Sequence, residues 1–320
     1  MKLPTSHFLH NTARERLKNA DEMPKKLVLL HTGAVLLVSI LLSVISYILR
    51  RQIDSTAGLG GLQDRAILET AMQVLQVLQL ALLPFWQYGY ICAIIEQFRG
   101  RPLSAQTLLG GFHRFGPILR ITLIQGVIYA FIAMAASYAA SYVFMLTPWG
   151  SDMMKQLMSS MSNLGTGADY AAMQEALLEM SGQYLLPLTG ITLVVLAAVA
   201  IPVWYRYRMA PYLLMENQNL GAIHALQISK TLMRRNRRSL LRLDLHFWWF
   251  YGLELLLSVI CYGDLLLDLA GIPLPWSSDV SYFVFLLLYA AGQLGLYYWK
   301  KNEVELTYMA AYDSLLPKKE

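Results

Sequence analysis

The chain has 320 residues, of which 56% are hydrophobic and only 15% are charged. Soluble domains contain about 45–50% apolar and about 25% charged residues, so this composition excludes an ordinary soluble enzyme or binding domain. The formal net charge is +5. This positive charge does not require a nucleic-acid partner, because the basic residues are distributed as they are in membrane proteins.

The apolar residues form blocks long enough to cross a bilayer, which takes about 20 residues of helix. A spanning segment must satisfy its own backbone hydrogen bonds, and the alternating pattern of a β-barrel is missing from the sequence. The sequence therefore predicts an all-α polytopic membrane protein with a transmembrane domain over residues 27–299. Its six predicted spans cover about residues 27–49, 66–95, 118–146, 185–204, 240–262 and 280–299.

Basic residues predict the orientation of these spans. All but four of the 26 Lys and Arg residues fall on one side of the predicted membrane, and the four exceptions are Arg50, Arg51, Arg65 and Lys155. Because basic residues are retained on the cytoplasmic side, both termini are expected in the cytoplasm of a bacterial cell, with the spans in the inner membrane. The first 26 residues lack the apolar core of a cleavable signal peptide, so the first span is predicted to be an uncleaved anchor.

The segments outside the spans carry their own patterns. Residues 1–26 are predicted to form a cytoplasmic amphipathic segment that lies flat on the inner leaflet, with a capping box at Thr12 and Glu15 as its start. Ser104 predicts another helix start after the second span. Residues 300–320 are predicted to be a cytoplasmic C-terminal tail.

An outer pair of amphipathic helices is predicted over residues 150–182. Apolar residues recur at helical spacing there in two groups, separated by the turn-forming sequence NLGTGA. Many of them are Met, whose thioether can bind Cu(I). Since Leu and Tyr share the stripes and neither Cys nor His joins them, adaptable packing is the favoured interpretation over copper delivery. The two groups are Met153, Met154, Leu157, Met158 and Met161, and Tyr170, Met173, Leu177 and Met180.

Several stretches together resemble a large family of bacterial integral membrane proteins filed under domain of unknown function 975. They are ARERLKNA, FRGRPLSAQTLLGGFHRFG, the loop YRYRMAPYLLMENQNLGAIHALQISKTLMRRNRRSLLRLDL and the closing LTYMAAYDSL. The family is distantly akin to the membrane domain of glycerophosphodiester phosphodiesterases. The resemblance implies a six-helix membrane fold and no established activity.

No motif for catalysis or for a bound metal or cofactor occurs in the sequence. His-Glu-x-x-His, paired Cys-x-x-Cys, Gly-x-Ser-x-Gly and the phosphate-binding Walker loop are all missing. The six His residues are scattered, and a single His is more often structural than a ligand. The sequence therefore predicts a protein that is not an enzyme and has no cofactor.

Polar side chains inside the predicted spans are the main candidates for function. On a helix that turns about 100° per residue, Tyr251 and Ser258 share a face with Glu254 in the fifth span. Two interpretations stay open for this polar set: hydrogen bonds that orient neighbouring helices, or the lining of a polar path. The other members are Gln73 and Gln76 in the second span, Gln125 in the third and Gln293 in the sixth.

Glu254 is the candidate on which the functional interpretation depends. Placing an ionisable residue at bilayer depth costs about 3 kcal/mol. Because no Lys or Arg of another span is expected at that depth, Glu254 is predicted to be protonated unless water reaches it, with neutral partners such as the glutamines or Tyr251.

These observations favour a non-catalytic inner-membrane protein that acts as an envelope scaffold or assembly factor. The alternative is a transporter or export protein with a polar path between the second and fifth spans near Glu254. A water-filled cavity reaching Glu254 would favour transport. The expected partners are the lipid bilayer and anionic headgroups at the cytoplasmic face, contacted by Arg234, Arg235, Arg237 and Arg238; no particular protein partner is indicated.

Overall fold

The computed structural model describes residues 3–18, 22–55, 62–164, 170–263, 266–267 and 278–316. Within these ranges every regular element is helical. A 3-10 turn over Ala105–Leu109 precedes α4, and a π-helical turn over Tyr297–Lys301 joins α12 to α13. The α-helices are α1 (Ser6–Lys18), α2 (Met23–Ser55), α3 (Leu62–Phe98), α4 (Gly110–His113), α5 (Phe115–Met145), α6 (Pro148–Leu164), α7 (Tyr170–Tyr207), α8 (Ala210–Glu216), α9 (Ala222–Met233), α10 (Arg237–His246), α11 (Trp248–Cys261), α12 (Ser278–Leu296) and α13 (Asn302–Leu315).

In the described part of the chain, five helical stretches are long and apolar enough to cross a membrane, which confirms the all-α polytopic fold. They are Met23–Ile53, Ala66–Phe98, Phe115–Met145, Gly182–Glu216 and Val280–Leu315. The pair α10 and α11 makes a sixth span if it is counted as one bent unit. Large apolar side chains on these stretches point outward, Leu186 being 83% exposed. Such a surface is unfavourable in water and favourable in lipid, so the protein is a multi-pass membrane protein.

The predicted fifth span is bent in its first half. Helix α10 ends at His246, α11 begins at Trp248, and the two are bent by 68°. Phe247 lies between them with φ −102° and ψ 20°, outside the helical region, and its buried ring packs edge-on against His10 at 5.6 Å. The depth expected for Glu254 depends on a straight helix from Asp244 to Glu254, so the bend at Phe247 removes it.

The chain divides into two compact units, of which the first comprises Met1–Ile121 and Arg208–Glu320. Its core lies around α13, where Tyr308 and Tyr312 are fully buried. Eleven residues of α13 are buried, so neighbouring helices enclose it on all sides. The residues predicted as a C-terminal tail therefore include a core helix, whose mixed polarity reflects contact with protein on every face.

Helix α1 packs on protein through its apolar face. Leu9 and Ala13 are buried, and α1 contacts both α13 and α10. The helix begins at Ser6, and Thr12 lies within it and donates to the Phe8 carbonyl at 3.0 Å. The predicted helix start at Thr12 is therefore wrong. The apolar positions predicted to face the inner leaflet are covered by α13 and α10.

Glycines allow the segment after the second span to pack closely on α3. A Cβ atom added at Gly89 would collide with the Leu108 carbonyl, and one at Gly111 would collide with the Phe85 carbonyl. Ser104 caps the 3-10 turn, which confirms the helix start predicted there. Arg114 then donates to the backbone carbonyls that end α8 and follow it, at Leu214, Asn217, Gln218 and Leu220.

The second unit comprises Thr122–Tyr207. Helix α6 packs against α7, and the Phe144 ring lies edge-on to Tyr184 at 6.2 Å. The second half of the predicted outer pair is the beginning of α7, which continues without interruption through the fourth span. In the first half, Met154 and Met158 are exposed. The side chains of Met161, Tyr170, Met173, Leu177 and Met180 lie outside the described part of the structure.

Candidate functional site

A polar cavity of about 550 Å³ lies within the first unit, between α2, α3, α11, α12 and the π-helical turn. A volume of this size is typical of pockets for small molecules. Its apolar lining comes from Val35, Leu36, Ile40, Leu83 and Leu286. Its polar lining comes from His31, Thr32, Ser39, Ser43, Gln79, Gln87, Glu254, Ser258, Cys261, Tyr262, Tyr289, Gln293, Tyr297 and Lys301.

Helical spacing brings these polar residues to one place. On α2 the residues Thr32, Ser39 and Ser43 follow intervals of seven and four, and on α3 the lining residues are four apart. Such intervals place side chains on one face of a helix. From Tyr289 to Lys301 a lining residue recurs every fourth position, across α12 and the π-helical turn. Each contributing helix thus turns a polar stripe toward the same cavity.

Glu254, Tyr297 and Lys301 form the charged end of the cavity. The Tyr297 hydroxyl donates a hydrogen bond to Oε1 of Glu254. The Lys301 Nζ lies 4.0 Å from the centroid of the Tyr297 ring, in a cation–π contact. Among the described residues, Nζ makes no ion pair with Glu254 or with any other carboxylate. A carboxylate and an ammonium group therefore share one cavity, with a phenol ring between them.

The position of Lys301 corrects the expectation that no cation reaches the depth of Glu254. The sequence places Lys301 just after the predicted end of the sixth span, and the structure places it on the cavity wall with Glu254. A protonated carboxyl is expected where no cation is near, so that expectation does not apply to Glu254. The expected neutral partner exists, but it is Tyr297. π-Helical turns are rare and occur frequently at functional sites.

Two buried polar groups in the wall have no partner among the described residues. They are Nδ1 of His31 and the hydroxyl of Thr32, whose side chains are only 2% and 3% exposed. The His31 ring stacks on Tyr90 at 4.7 Å, and the Lys301 Nζ lies 5.1 Å from the same Tyr90 ring. A buried polar group without a partner is costly. These two atoms therefore have hydrogen-bonding capacity that the described residues leave unused, although neither atom is open to solvent.

The structure brings together only part of the predicted polar set. Glu254, Ser258 and Gln293 line the cavity. Tyr251 instead forms a hydrogen bond with the Tyr308 hydroxyl at 2.6 Å. Gln73 and Gln76 are exposed on α3, so they neither line the cavity nor join helices there. Gln125 belongs to the second unit.

Sequence reasoning missed several lining residues for understandable reasons. Thr32, Ser39 and Ser43 are common in apolar helices, and Tyr297 looks like an interfacial aromatic. Lys301 was assigned to the tail. The four-residue recurrence from Tyr289 to Lys301 was the available signal, because it continues a helical face past the end of the apolar block.

The four arginines predicted to contact lipid lie at the turn before α10 and in its first residues. Arg234, Arg235 and Arg238 are exposed, and Arg237 is half-buried. Cations at a helix N-terminus oppose the helix dipole, so this placement does not serve the stability of α10. Beside them, Asn236 is buried and its Oδ1 accepts a hydrogen bond from the Leu3 amide at 3.2 Å.

Comparison with known proteins gives one result. A family model described as "Protein of unknown function (DUF975)" matches residues 3–301. No curated protein and no solved structure matches the chain. The more distant relationship to the membrane domain of glycerophosphodiester phosphodiesterases stays a prediction.

Proposed function

Since the chain belongs to the DUF975 family, whose function is not established, we propose a function from the cavity itself. The protein is a non-catalytic membrane transporter or exporter that binds a small polar solute between α2, α3, α11 and α12. The observation that carries this proposal is a polar cavity, within apolar helices, that holds both Glu254 and Lys301.

The energetic cost of the cavity supports this proposal. Ionisable side chains inside a membrane are expensive and typically mark paths for ions or substrates. His31 and Thr32 add two buried polar groups without partners among the described residues. A polar solute that bonds to Glu254 and Lys301 would offset part of the cost of placing them there. In many transporters, the substrate site likewise lies between helices.

The scaffold interpretation requires only the helical fold and its surfaces. It gives no reason to keep a carboxylate and an ammonium group in one cavity between the helices, so the cavity favours transport. The non-enzymatic part of the proposal rests on the missing catalytic motifs in the sequence.

We place the protein in the bacterial inner membrane with both termini in the cytoplasm, as the distribution of basic residues supports. In this orientation the exposed residues Arg234, Arg235 and Arg238 face the anionic headgroups of the inner leaflet. Each contributes about 1 kcal/mol to lipid attraction. Copurified anionic lipid should therefore decrease when the four arginines of the cluster are replaced by Gln.

Blocking the cavity tests the transport proposal. Ser39 lines the cavity, whereas Leu37 on the same helix is 60% exposed on the surface of the protein. Proteoliposomes containing the wild-type protein, Ser39→Trp or Leu37→Trp are incubated with a polar metabolite extract, and accumulated solutes are identified by mass spectrometry. We expect at least one solute to accumulate with the wild-type protein and Leu37→Trp but not with Ser39→Trp. Identical profiles for all three proteins would contradict transport through this cavity.

A further inference from the structure

We propose that the solute is a zwitterionic, apolar α-amino acid, with its carboxylate at Lys301 and its ammonium group at Glu254. This inference rests on the proposed function and names the substrate class of the same cavity. It depends on three features of the wall: the charge balance, the unused hydrogen-bonding capacity and the apolar lining.

The charge balance favours a molecule with no net charge. Among the described lining residues, the side chains that ordinarily carry a charge at neutral pH are one Lys and one Glu, which balance each other. A simple anion would neutralise Lys301 and leave Glu254 as an uncompensated buried charge, and a simple amine would do the reverse. An uncompensated charge in a low-dielectric site is strongly unfavourable. A zwitterion satisfies both groups at once.

Both charged groups have bonding capacity left. Lys301 carries three N–H donors, and in the described part of the chain its contacts are with the Tyr90 and Tyr297 rings rather than with an acceptor. Glu254 uses Oε1 to accept from Tyr297, and its Oε2 has no hydrogen bond from a described residue. Tyr297 holds the carboxylate in place and leaves one oxygen for an ammonium group.

The Lys301 end also offers bonds of the kind that a carboxylate needs. His31 and Lys301 contact the same Tyr90 ring, which places them at one end of the cavity with Thr32. The Thr32 hydroxyl can donate, as can Nδ1 of His31 in one tautomer. A carboxylate there would meet the Lys301 ammonium group, and a small movement of the wall would bring the two buried groups without partners within its reach.

The separation of the charges and the apolar lining define the rest of the ligand. Lys301 and Glu254 contact one phenol ring from different positions, Nζ over its face and Oε1 at its hydroxyl. That short span suits a molecule whose ammonium and carboxylate groups are attached to the same carbon. Val35, Leu36, Ile40, Leu83 and Leu286 line the same cavity and can contact an apolar side chain.

Leucine and two analogues with the same side chain test the charge requirement. N-acetylleucine lacks the ammonium charge, and leucinamide lacks the carboxylate. Binding to the purified, detergent-solubilised protein is measured directly with radiolabelled ligand and by ligand-induced shifts in the unfolding temperature. We expect saturable binding of leucine and at least about tenfold weaker binding of both analogues, a difference of about 1.4 kcal/mol.

Two variants make the test specific to the named residues. Glu254→Gln leaves Lys301 as the only charge, so it should come to prefer N-acetylleucine over leucine. Lys301→Met leaves Glu254, so it should come to prefer leucinamide. Opposite changes in preference cannot come from general damage to the fold, and either variant alone is informative if the other does not fold. Leu37→Trp should keep the wild-type preference.

Each remaining outcome contradicts the zwitterion. The proposal fails if the wild-type protein binds either analogue as tightly as leucine, if it binds none of the three, or if both variants keep the wild-type preference. Transport through the cavity is judged separately by the Ser39→Trp experiment. If Ser39→Trp blocks accumulation of a solute of another class, the amino-acid proposal is wrong and the proposed function stands. If Ser39→Trp blocks accumulation of no solute, both proposals are contradicted.

Discussion

At the scale of single residues, tyrosine hydroxyls are the recurrent partners of acidic side chains in the first unit. An aromatic ring is compatible with an apolar environment, while its hydroxyl can reach a carboxylate. Hydrogen bonds to an ionised acceptor are stronger than neutral ones. The chain contains 19 Tyr residues, and four such pairs are Tyr212–Glu305, Tyr297–Glu254, Tyr308–Asp244 and Tyr312–Glu216.

The Tyr308 hydroxyl connects Asp244 and Tyr251 in series. It donates its single proton to Asp244, so the Tyr251 hydroxyl at 2.6 Å must donate to Tyr308 in turn. Tyr308→Phe would remove the shared oxygen and leave both Asp244 and Tyr251 with one partner fewer in a buried site. We expect the free energy of unfolding to decrease by about 1–3 kcal/mol, measured by denaturation in detergent.

Tyr298→Phe provides the matched control for that substitution. Tyr298 is 46% exposed, so loss of its hydroxyl should change the stability by less than about 0.5 kcal/mol. Equal losses for the two variants would mean that the Asp244–Tyr308–Tyr251 series does not stabilise the fold.

Single residues also show how far the candidate site could be predicted from the sequence. Glu254 stands out because a carboxylate in an apolar block is rare, and it does line the cavity. Tyr297 and Lys301 do not stand out, because Tyr and Lys are both common at the ends of spans. Their roles depend on the π-helical turn, and a five-residue change in helical geometry has no clear signature in hydropathy.

At the scale of helices, the pattern of apolar blocks predicts the existence and approximate ends of the spans. It does not predict the bend at Phe247, whose ring packs against His10 from a distant part of the chain. It also misplaces α13, because a helix covered by protein on all faces does not need the uniform apolarity of a lipid-facing one. Hydropathy detects contact with lipid better than contact with protein.

Close packing of α3 against α4 offers a test at this scale. A methyl group at Gly111 would meet the Phe85 carbonyl and the Gly89 amide, all backbone atoms that cannot rotate away. Gly111→Ala should therefore force the helices apart and lower the free energy of unfolding by about 1–3 kcal/mol or more. Thermal unfolding of the purified protein in detergent measures this loss.

Gly116→Ala is the control for the effect of glycine replacement itself. An added Cβ at Gly116 meets nothing within 4 Å, and Ala is the better helix former by about 1 kcal/mol. We therefore expect Gly116→Ala to be neutral or stabilising. If Gly111→Ala behaved in the same way, close approach of the two backbones would not be what requires glycine at residue 111.

At the scale of the whole molecule, composition alone indicates a polytopic membrane protein, because few other environments tolerate so much exposed apolar surface. The charge distribution adds an orientation, which depends on the count of basic residues on each side and not on details of the fold. The cavity between the helices cannot be predicted from composition or charge distribution. It requires four helices to present their polar stripes to one another, and a single sequence does not state which helices are neighbours.

Orientation can be tested at two exposed residues that one predicted span separates. Asp152 lies on α6, close to Lys155, one of the four basic residues on the predicted outer side. Lys230 lies on α9, on the predicted cytoplasmic side, where most of the basic residues are expected. The two native cysteines, Cys92 and Cys261, are first changed to Ala. In this background, Asp152 and Lys230 are replaced by Cys in separate variants. We expect a membrane-impermeant maleimide to label Asp152→Cys in intact spheroplasts, and Lys230→Cys only after lysis. The reverse pattern would invert the orientation, and labelling of both in intact spheroplasts would mean that α7 does not cross the membrane.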